Sequence, residues 1–299
     1  MNMMSTALSK VKCLKDTELM SHLTDVVFLA TPAEISLKLA DEIVKAGKVA
    51  IDISGAFRLK QHDYKSWYGF EHHNLELLKT AHYGLRPFSE KNTGKLLANP
   101  GCYATAITMA LIPLIKENVI TTSNIVIDAK SGTSGAGKKA SESMLFTEVD
   151  GECLPYKVGR HQHYPEIVEV INHFANTQID FHLTTSLLPT RRGIIAGVYA
   201  ELENGKTIED VTHAFARAFA NYPLVQYGKL KDKPYLLSLK KVLGTAKTHI
   251  SYEVVGKKVY VFSLIDNLMK GAASQAVENL NNLYGFQPFA GLTQLEAII

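Results

Sequence analysis

The pattern of apolar and polar positions near the start of the chain predicts a strand–helix–strand unit. The apolar run at residues 25–30 ends in a Thr-Pro turn and is typical of a buried parallel strand. Residues 33–46 then place apolar side chains at helical spacing on one face, and Gly47 ends the helix. A second apolar run at residues 49–53 completes the unit. The unit predicts a parallel sheet with a right-handed crossover, in which ligands bind at the carboxyl ends of the strands.

The rest of the chain predicts a second half that is richer in strands. Residues 60–95 are polar and aromatic, and we interpret them as loops and short elements. A helix is expected from Cys102 to about Asn118, with Pro113 as a kink or break. The later pattern favours an α+β domain with an antiparallel or mixed sheet. The expected strands cover residues 125–129, 181–188, 193–203 and a hairpin of 247–254 with 257–264, and the expected helices cover 207–221 and 268–283.

Composition narrows the class of protein. The 299 residues are 46% hydrophobic and 20% charged, which predicts two globular domains or one large one. A net charge of +3 without a basic stretch gives no reason to expect nucleic acid, and no apolar run is long enough to predict a membrane partner. Three cysteines form neither a disulfide framework nor a zinc-binding pattern, so no metal is predicted and a reducing, cytoplasmic location is expected. His72 and His73 are interpreted as surface or substrate-lining residues.

The stretch Asn99-Pro100-Gly101-Cys102 carries the strongest chemical signal. Its Pro-Gly turn delivers a single cysteine to the start of an apolar helix, whose positive end favours a thiolate, so Cys102 can be a nucleophile. A small buried side chain in a turn is an equally good interpretation. A nucleophile needs a base, and His161 is the obvious candidate, while His163 is either the base itself or a substrate ligand.

Other polar residues follow predicted strands. The Gly-rich stretch 131–137 is either a loop that approaches an anion or a flexible linker. Arg58 and Arg192 lie in loops at strand ends, where a guanidinium suits a carboxylate or a phosphate, although most arginines are surface residues. Glu166 is interpreted either as an acidic residue at a helix start or as a hydrogen-bond acceptor for a substrate.

Seven short motifs follow one another along the chain. They are DVVFLATP at 25–32, DISGAFRL at 52–59, NPGCYATA at 99–106, SGTSGAGK at 131–138, YKVGRHQHYPEI at 156–167, LPTRRGI at 188–194 and DNLMKGAA at 266–273. In these motifs and their order the chain resembles the N-acetyl-γ-glutamyl-phosphate reductase family of arginine biosynthesis, within the semialdehyde dehydrogenase superfamily. One motif alone is weak evidence for the family, whereas seven motifs in the family's order are strong evidence.

The resemblance implies an NADPH-dependent acyl-phosphate reductase with an α/β fold. A Rossmann-like, parallel-sheet NADP-binding domain is expected from residues 1–102 and 265–299. An α+β catalytic and dimerisation domain with a mixed sheet is expected from residues 103–264. The implied partners are a small acyl phosphate and further copies of the chain, in a homodimer or homotetramer.

The resemblance also implies roles for individual residues. Cys102 corresponds to the nucleophile that forms a thioacyl intermediate, and His161 corresponds to the acid/base. Substrate-pocket positions are implied for Arg58, Asn99, Tyr156, His163, Glu166 and Arg192. Positions beside NADP(H) are implied for Thr31, Pro32, Ser54, Ser131, Gly132, Gly135, Asn267 and Lys270.

The start of the chain departs from the family pattern. The family opens with a strand and a Gly-x-x-Gly-Tyr-x-Gly turn that holds the cofactor phosphates, whereas the first glycine here is Gly47. We therefore expect the first βα unit to be missing or replaced by residues 1–24, and an exposed sheet edge in its place. Alternatives that stay open are a reductase of an aminoadipyl or aspartyl phosphate, a thiol hydrolase, and an inactive relative.

Overall fold

Two sheets organise the computed structural model, which describes residues 13–91, 94–137 and 142–293. The strands are β1 Val26–Leu29, β2 Val49–Asp52, β3 His82–Tyr83, β4 Leu96–Ala98, β5 Ile125–Gly132, β6 Leu154–Pro155, β7 Phe181–Leu188, β8 Ile194–Glu201, β9 Val225–Lys229, β10 Thr248–Val255 and β11 Lys258–Ile265. The α-helices are α1 Ala33–Lys45, α2 Asp63–Tyr68, α3 Leu75–Thr80, α4 Cys102–Lys116, α5 Phe146–Val149, α6 His163–Ala175, α7 Ile208–Phe219 and α8 Ser274–Leu283.

The first sheet is parallel and has the strand order β1-β2-β4-β3. Helix α1 packs Ala40 and Ile43 against one face of this sheet, because its apolar side chains recur at helical spacing. Helix α8 covers the other face, where Ala276 packs with Ile51 and Leu97. The predicted strand–helix–strand unit is thereby confirmed. The carboxyl ends of β1, β2 and β4 meet at one edge, which is where such sheets bind ligands.

Strand β1 lies at the margin of the first sheet. Within residues 13–91, 94–137 and 142–293 it pairs with β2 alone, and residues 1–12 of the segment expected to replace the first βα unit lie outside the described residues, so the exposed edge stays a prediction. Phe28, in the middle of β1, is 41% exposed. An exposed aromatic side chain in the marginal strand of the described sheet favours pairing with a further strand.

The second sheet is mixed, with the order β6-β7-β5-β8-β11-β10-β9. Its antiparallel β10–β11 hairpin and the parallel β5–β7 pair confirm the predicted mixed sheet. Helices α4, α6 and α7 join its main core. Helix α4 is buried on all sides from Tyr103 to Ile115, because its residues are apolar around the whole circumference. It continues through Pro113 and ends at Lys116.

Three details differ from the sequence-based expectation. Strand β5 extends beyond residue 129 through Gly132, because it is paired on both sides there, with β7 and with the loop before β8. The short strand β4 was not predicted, since it falls between the loops expected at 60–95 and the motif that begins at Asn99, and three residues carry too little periodicity. The last helical segment begins as a π-helical turn, Met269–Ala273, rather than as an α-helix.

The described helices include none that is long and apolar enough to cross a lipid bilayer. The domain boundaries expected from the sequence stay a prediction. They divide the chain into residues 1–102 with 265–299 and residues 103–264. Lys138 of the SGTSGAGK motif lies outside the described residues.

Candidate active site

Cys102 lies where the two sheets meet. Strand β4 ends at Ala98, three residues turn at the carboxyl edge of the first sheet, and Cys102 begins the central helix α4. The thiol residue is half-buried. One wall of its surroundings is the π-helical turn, where a Cβ on Gly271 would lie only 2.8 Å from Cys102 Cβ. A glycine is therefore required for that backbone to approach the cysteine.

The environment of Cys102 keeps it protonated at neutral pH. Burial raises its pKa to about 11, and Glu166 adds to the rise, although Arg58 and the backbone N–H groups at the start of α4 lower it. The predicted stabilisation of a thiolate by the helix end is present but smaller than the effect of burial. In this structure the residue is a thiol at pH 7 and needs a base, or a ligand that changes its surroundings, to react.

Glu166 is the centre of the buried polar cluster beside Cys102. Its Oε1 accepts hydrogen bonds from the Gly101 backbone N–H and from the Tyr83 hydroxyl, both at 2.7 Å. Its Oε2 has no hydrogen-bond partner and lies 3.8 Å from both Arg58 Nη1 and His163 Nε2. Both predicted roles are thus compatible with one side chain, since one oxygen holds the start of α4 and the other is left for a ligand.

Arg58 is held rigidly next to this carboxylate. Its Nε donates to the Asn99 carbonyl at 2.7 Å, and its Nη2 donates to the Ile53 carbonyl at 2.5 Å. Burial lowers its pKa, but Glu166 and other surrounding groups outweigh burial and raise it above the ordinary value. The guanidinium is therefore a permanent positive charge fixed at the carboxyl ends of β2 and β4.

His161 and His163 form a neutral pair at the start of α6. Burial, then the other histidine and Lys157, lowers the pKa of His161 to about 2. Burial, Arg58 and Lys157 lower the pKa of His163 to about 3. The His161 Nδ1 accepts from the His163 backbone N–H at 3.2 Å, which places the proton of the neutral ring on Nε2.

Two tyrosines connect this histidine pair to the cysteine. The Tyr103 ring packs edge-on against His161, with ring centroids 5.2 Å apart, and Tyr103 directly follows Cys102 in α4. Tyr156 Oη lies 3.2 Å from Tyr103 Oη and 3.5 Å from His161 Nε2. Among the described residues, no hydrogen bond joins Cys102 to His161 directly. The structure therefore brings the two predicted catalytic residues into one cluster through the tyrosines.

A second group of predicted residues gathers at the ends of β5 and β11. Asn267 Oδ1 accepts from the Gly193 backbone N–H at 2.7 Å, and its Nδ2 donates to Ser134 Oγ at 3.0 Å. Arg192 Nε lies 3.3 Å from the buried Asp266 Oδ2. The same group includes Ser131, Gly132 and Gly135. A Cβ added to Gly132 would lie 2.6 Å from the Arg192 backbone nitrogen, and a Cβ added to Gly135 would lie 3.2 Å from Ser131 Oγ.

Thr31, Pro32 and Ser54 lie at the carboxyl edge of the first sheet, and their place beside a dinucleotide stays a prediction. The Thr31 hydroxyl bonds to Ser36 Oγ at 2.8 Å, and the Ser54 hydroxyl donates to Asp52 Oδ1 at 2.6 Å, so both side chains are engaged internally. Helix α1 starts after Pro32 without a side-chain cap. The Ile35 and Ser36 N–H groups both donate to the Pro32 carbonyl, at 3.0 and 2.9 Å.

Asn99 and Lys270 have structural partners in the described part of the chain. Asn99 accepts from Asn279 Nδ2 at 3.1 Å and donates to the Ala272 carbonyl at 3.2 Å. Lys270 is fully buried, with its Nζ 2.8 Å from both carboxylate oxygens of Glu278. Their roles at the substrate and the cofactor stay predictions, and this geometry gives both side chains the task of fixing α8 and the π-helical turn.

Several contributing residues were not identified from the sequence. Tyr83 lies in a region with no readable periodicity, and only the fold brings it to Glu166. Asp266 accepts from the Leu268 and Gly244 backbone N–H groups and so holds the turn beside Arg192. His72 was expected at the surface or in a substrate pocket, but it is buried, with its ring centroid 4.8 Å from that of Tyr64. That expectation of surface exposure is wrong because the rings of Phe57 and of Tyr64 in α2 pack against it.

Comparison with known proteins identifies related sequences over most of the chain. The family profile described as "Semialdehyde dehydrogenase, NAD binding domain" matches residues 4–96, and the one described as "Semialdehyde dehydrogenase, dimerisation domain" matches residues 102–267. An N-acetyl-gamma-glutamyl-phosphate reductase of Streptococcus thermophilus is 40% identical over 90% of this chain and 78% of its own length. One of Staphylococcus epidermidis is 37% identical over 93% of this chain and 81% of its own length.

Solved structures show the same fold at lower sequence identity. Aspartate semialdehyde dehydrogenase II from Vibrio cholerae has a TM-score of 0.67 and 17% identity, over 88% of this chain and 80% of its own. The aspartate semialdehyde dehydrogenase from Francisella tularensis has a TM-score of 0.67 and 16% identity, over 90% of this chain and 83% of its own. At this level of identity the likeness concerns the fold.

Proposed function

The chain belongs to the semialdehyde dehydrogenase family, related within it to the N-acetyl-γ-glutamyl-phosphate reductases, and we propose that it reduces N-acetyl-γ-glutamyl phosphate to N-acetylglutamate 5-semialdehyde with NADPH. The observation that carries this proposal is the position of Cys102 at the start of α4. Arg58 lies close enough to lower the pKa of this thiol, and the neutral His163 ring lies against Gly101, the residue directly before it. These are the groups that acyl transfer from a phosphate to sulfur requires.

In the first step Cys102 Sγ forms a bond to the acyl carbon, and the bond from that carbon to the phosphate oxygen breaks. We assign the acceptance of the thiol proton to His161. Because Nε2 carries the proton of the neutral ring and the pKa of the ring is about 2 in the free protein, this step requires that the bound substrate free a ring nitrogen and raise that pKa. When bound at the edge formed by Thr31 and Ser54, NADPH supplies a hydride to the thioester carbon. His161 then returns its proton to the sulfur as the aldehyde leaves, so the thiol is regenerated.

The two arginines have different surroundings and therefore different proposed tasks. Arg58 is buried and fixed by backbone carbonyls, so it holds the polar end of the substrate at a constant position. Arg192 is 26% exposed in its side chain and has Asp266 as its acidic neighbour, so we assign it to the departing phosphate. Glu166 Oε2, which is unpartnered and buried, accepts a hydrogen bond from the bound substrate.

The choice of acyl group rests on the relatives at about 40% identity, which carry the N-acetyl-gamma-glutamyl-phosphate reductase name. Aspartyl and aminoadipyl phosphates are the competing substrates.

The matched dimerisation domain indicates a homo-oligomer. We propose a homodimer or homotetramer, and a cytoplasmic location in which Cys13, Cys102 and Cys153 stay unpaired as they are in the structure.

The reverse reaction provides the test. Phosphate-dependent reduction of NADP⁺ is measured with the semialdehydes of N-acetylglutamate, aspartate and aminoadipate, and the first is expected to give the highest kcat/KM. Cys102→Ser is expected to lower this rate by about 10³-fold or more, because an alcohol is a far weaker nucleophile. The matched control is Cys153→Ser, which changes an exposed cysteine and leaves the rate intact. Full activity of Cys102→Ser contradicts the nucleophile, and a preference for another semialdehyde contradicts the substrate.

A further inference from the structure

Positive charge is concentrated in one segment of the second domain, well away in sequence from the catalytic motifs. Residues 229–247 contain six lysines and one aspartate, a net charge of +5, whereas the whole chain carries +3. The rest of the chain is therefore slightly negative. Lys229 is paired with Glu209, but Lys241 and Lys247 form no ion pair with any residue that the structure describes. Unneutralised cations clustered in this way attract an anion.

The charged segment covers a cavity on the second sheet. It crosses the face of β10 opposite to the main helical core, and a cavity of about 290 Å³ remains between the segment and the strands. Gln226 of β9, Tyr235, Lys241, Lys247 and His249 of β10 line it. The lining is therefore two cations with three neutral groups that can form hydrogen bonds, and it includes no carboxylate.

His249 gives this cavity a buried polar group that lacks a partner. The side chain is 3% exposed, and its Nδ1 has no hydrogen-bond partner in the structure. Burial, then Lys247, lowers the pKa of His249 to about 4, so the ring is neutral at pH 7. Nδ1 is itself shielded from solvent, so a ligand in the cavity would form its hydrogen bond with the ring through Nε2.

The same segment is attached to the candidate active site. The Gly244 backbone N–H donates to Asp266 Oδ2 at 2.7 Å, and that oxygen lies 3.3 Å from Arg192 Nε. Leu239 fills the space beside Gly193, where an added Cβ would lie 2.8 Å from the leucine side chain. A ligand that orders residues 239–247 would therefore also restrain the turn that carries Arg192.

From these observations we propose that the cavity between the lysine-rich segment and β10 binds a polyphosphate group, held by Lys241, Lys247 and His249. Binding of this group would also restrain the turn that carries Arg192. The site goes beyond the proposed reaction and lies on the second sheet rather than at the carboxyl edge of the first. A phosphate chain suits it because its several oxygens accept hydrogen bonds from two ammonium groups and an imidazole at once. The phosphate chain can be free or part of a nucleotide.

Binding of inorganic tripolyphosphate to the whole protein tests the site. Titration calorimetry in about 0.15 M salt, where diffuse attraction to surface lysines is screened, is expected to show saturable binding. The double variant Lys241→Ala/Lys247→Ala is expected to bind about tenfold or more weakly. The matched control is Lys257→Ala/Lys258→Ala, which removes the same charge from two exposed lysines at the far end of the β10–β11 hairpin and leaves the affinity within about twofold. Absence of saturable binding, or equal losses in both double variants, overturns the proposal.

Two further measurements sharpen the result. ATP that binds more tightly than tripolyphosphate identifies a nucleotide, equal affinities identify the phosphate chain alone, and ATP binding that is unaffected by Lys241→Ala/Lys247→Ala overturns the site. Amide hydrogen exchange with tripolyphosphate bound is expected to slow in residues 239–247 and also in 189–193. Slowing confined to residues 239–247 contradicts the connection to Arg192.

Discussion

At Cys102 two physical effects oppose each other, and the structure shows which one is larger. The start of α4 and Arg58 favour the thiolate, while burial and Glu166 favour the thiol, and the pKa rises to about 11. The sequence was sufficient to predict the cysteine, the turn before it and the helix after it. It was not sufficient to predict the burial, because that depends on Gly271 and on α6, which are distant in the chain.

This balance predicts how the free enzyme reacts with an alkylating reagent. In a Cys13→Ser/Cys153→Ser background, where Cys102 is the remaining thiol, the rate of alkylation by iodoacetamide is expected to rise about tenfold per pH unit from pH 7 to pH 10. The reason is that the thiolate fraction grows in this proportion at every pH well below the pKa of about 11. Rates are read from mass spectra of the intact protein, with free cysteine as the control. A plateau below pH 9 would show that the helix end outweighs burial.

Among the elements, the contact between the start of α4 and the first turn of α6 determines the geometry of the site. Periodicity predicted α4, α1, α7 and the β10–β11 hairpin, because each is long enough for its apolar spacing to be read. The strand β4 and the π-helical turn could not be predicted in this way. Both are short, and both are fixed by neighbours: β4 by β2 and β3, and the turn by the approach of Gly271 to Cys102.

The glycine between these two helices is expected to tolerate no side chain. Gly101 has an extended backbone that alanine adopts freely, with φ −71° and ψ 154°, but an added Cβ would lie 2.6 Å from His163 Cδ2 and 2.8 Å from Glu166 Oε2. Gly101→Ala therefore pushes α6 away from α4, and we expect it to lower the free energy of unfolding by about 1–3 kcal/mol. Urea denaturation measures this loss.

A matched substitution separates crowding from a general effect of alanine. Gly228→Ala in β9 would bring the added Cβ to within 2.7 Å of Lys233 Cδ, which is part of a flexible side chain that can move. This variant is expected to unfold with nearly unchanged free energy. Equal stability of Gly101→Ala and Gly228→Ala would contradict a close contact between the two helices at the site.

For the whole molecule, the junction of the two sheets depends on buried polar contacts that no local pattern reveals. Lys270 and Glu278 form an ion pair with no exposed surface, and Tyr222 from the second domain donates to the same carboxylate. Burial lowers the pKa of Lys270 and raises that of Glu278. The sequence predicted a helix over these residues and a lysine beside a cofactor. It could not predict that the ammonium points into the protein, because its partner Glu278 lies eight residues further along the chain, a spacing at which a regular helix brings no two side chains together.

The buried histidines predict that the whole protein loses stability in mild acid. His161, His163 and His249 are each more than nine-tenths buried, and burial lowers their pKa values to about 2, 3 and 4. In the unfolded chain the same rings have pKa values of about 6.5 and take up protons as the pH falls below that value. The unfolded state then binds more protons than the folded state, so the free energy of unfolding falls with decreasing pH.

Each of these rings contributes a slope that approaches about 1.4 kcal/mol per pH unit between pH 6 and pH 5, where few carboxylates change charge. The three together are expected to lower the free energy of unfolding by about 4 kcal/mol per unit, measured by urea denaturation at pH 7, 6 and 5. His249→Gln removes one ring that lies away from Cys102 and is expected to make the dependence shallower by about 1.4 kcal/mol per unit. A free energy of unfolding that stays constant from pH 7 to pH 5 would mean that these imidazoles take up protons in the folded protein over the same pH range as in the unfolded chain, which would contradict the lowering of their pKa values by burial.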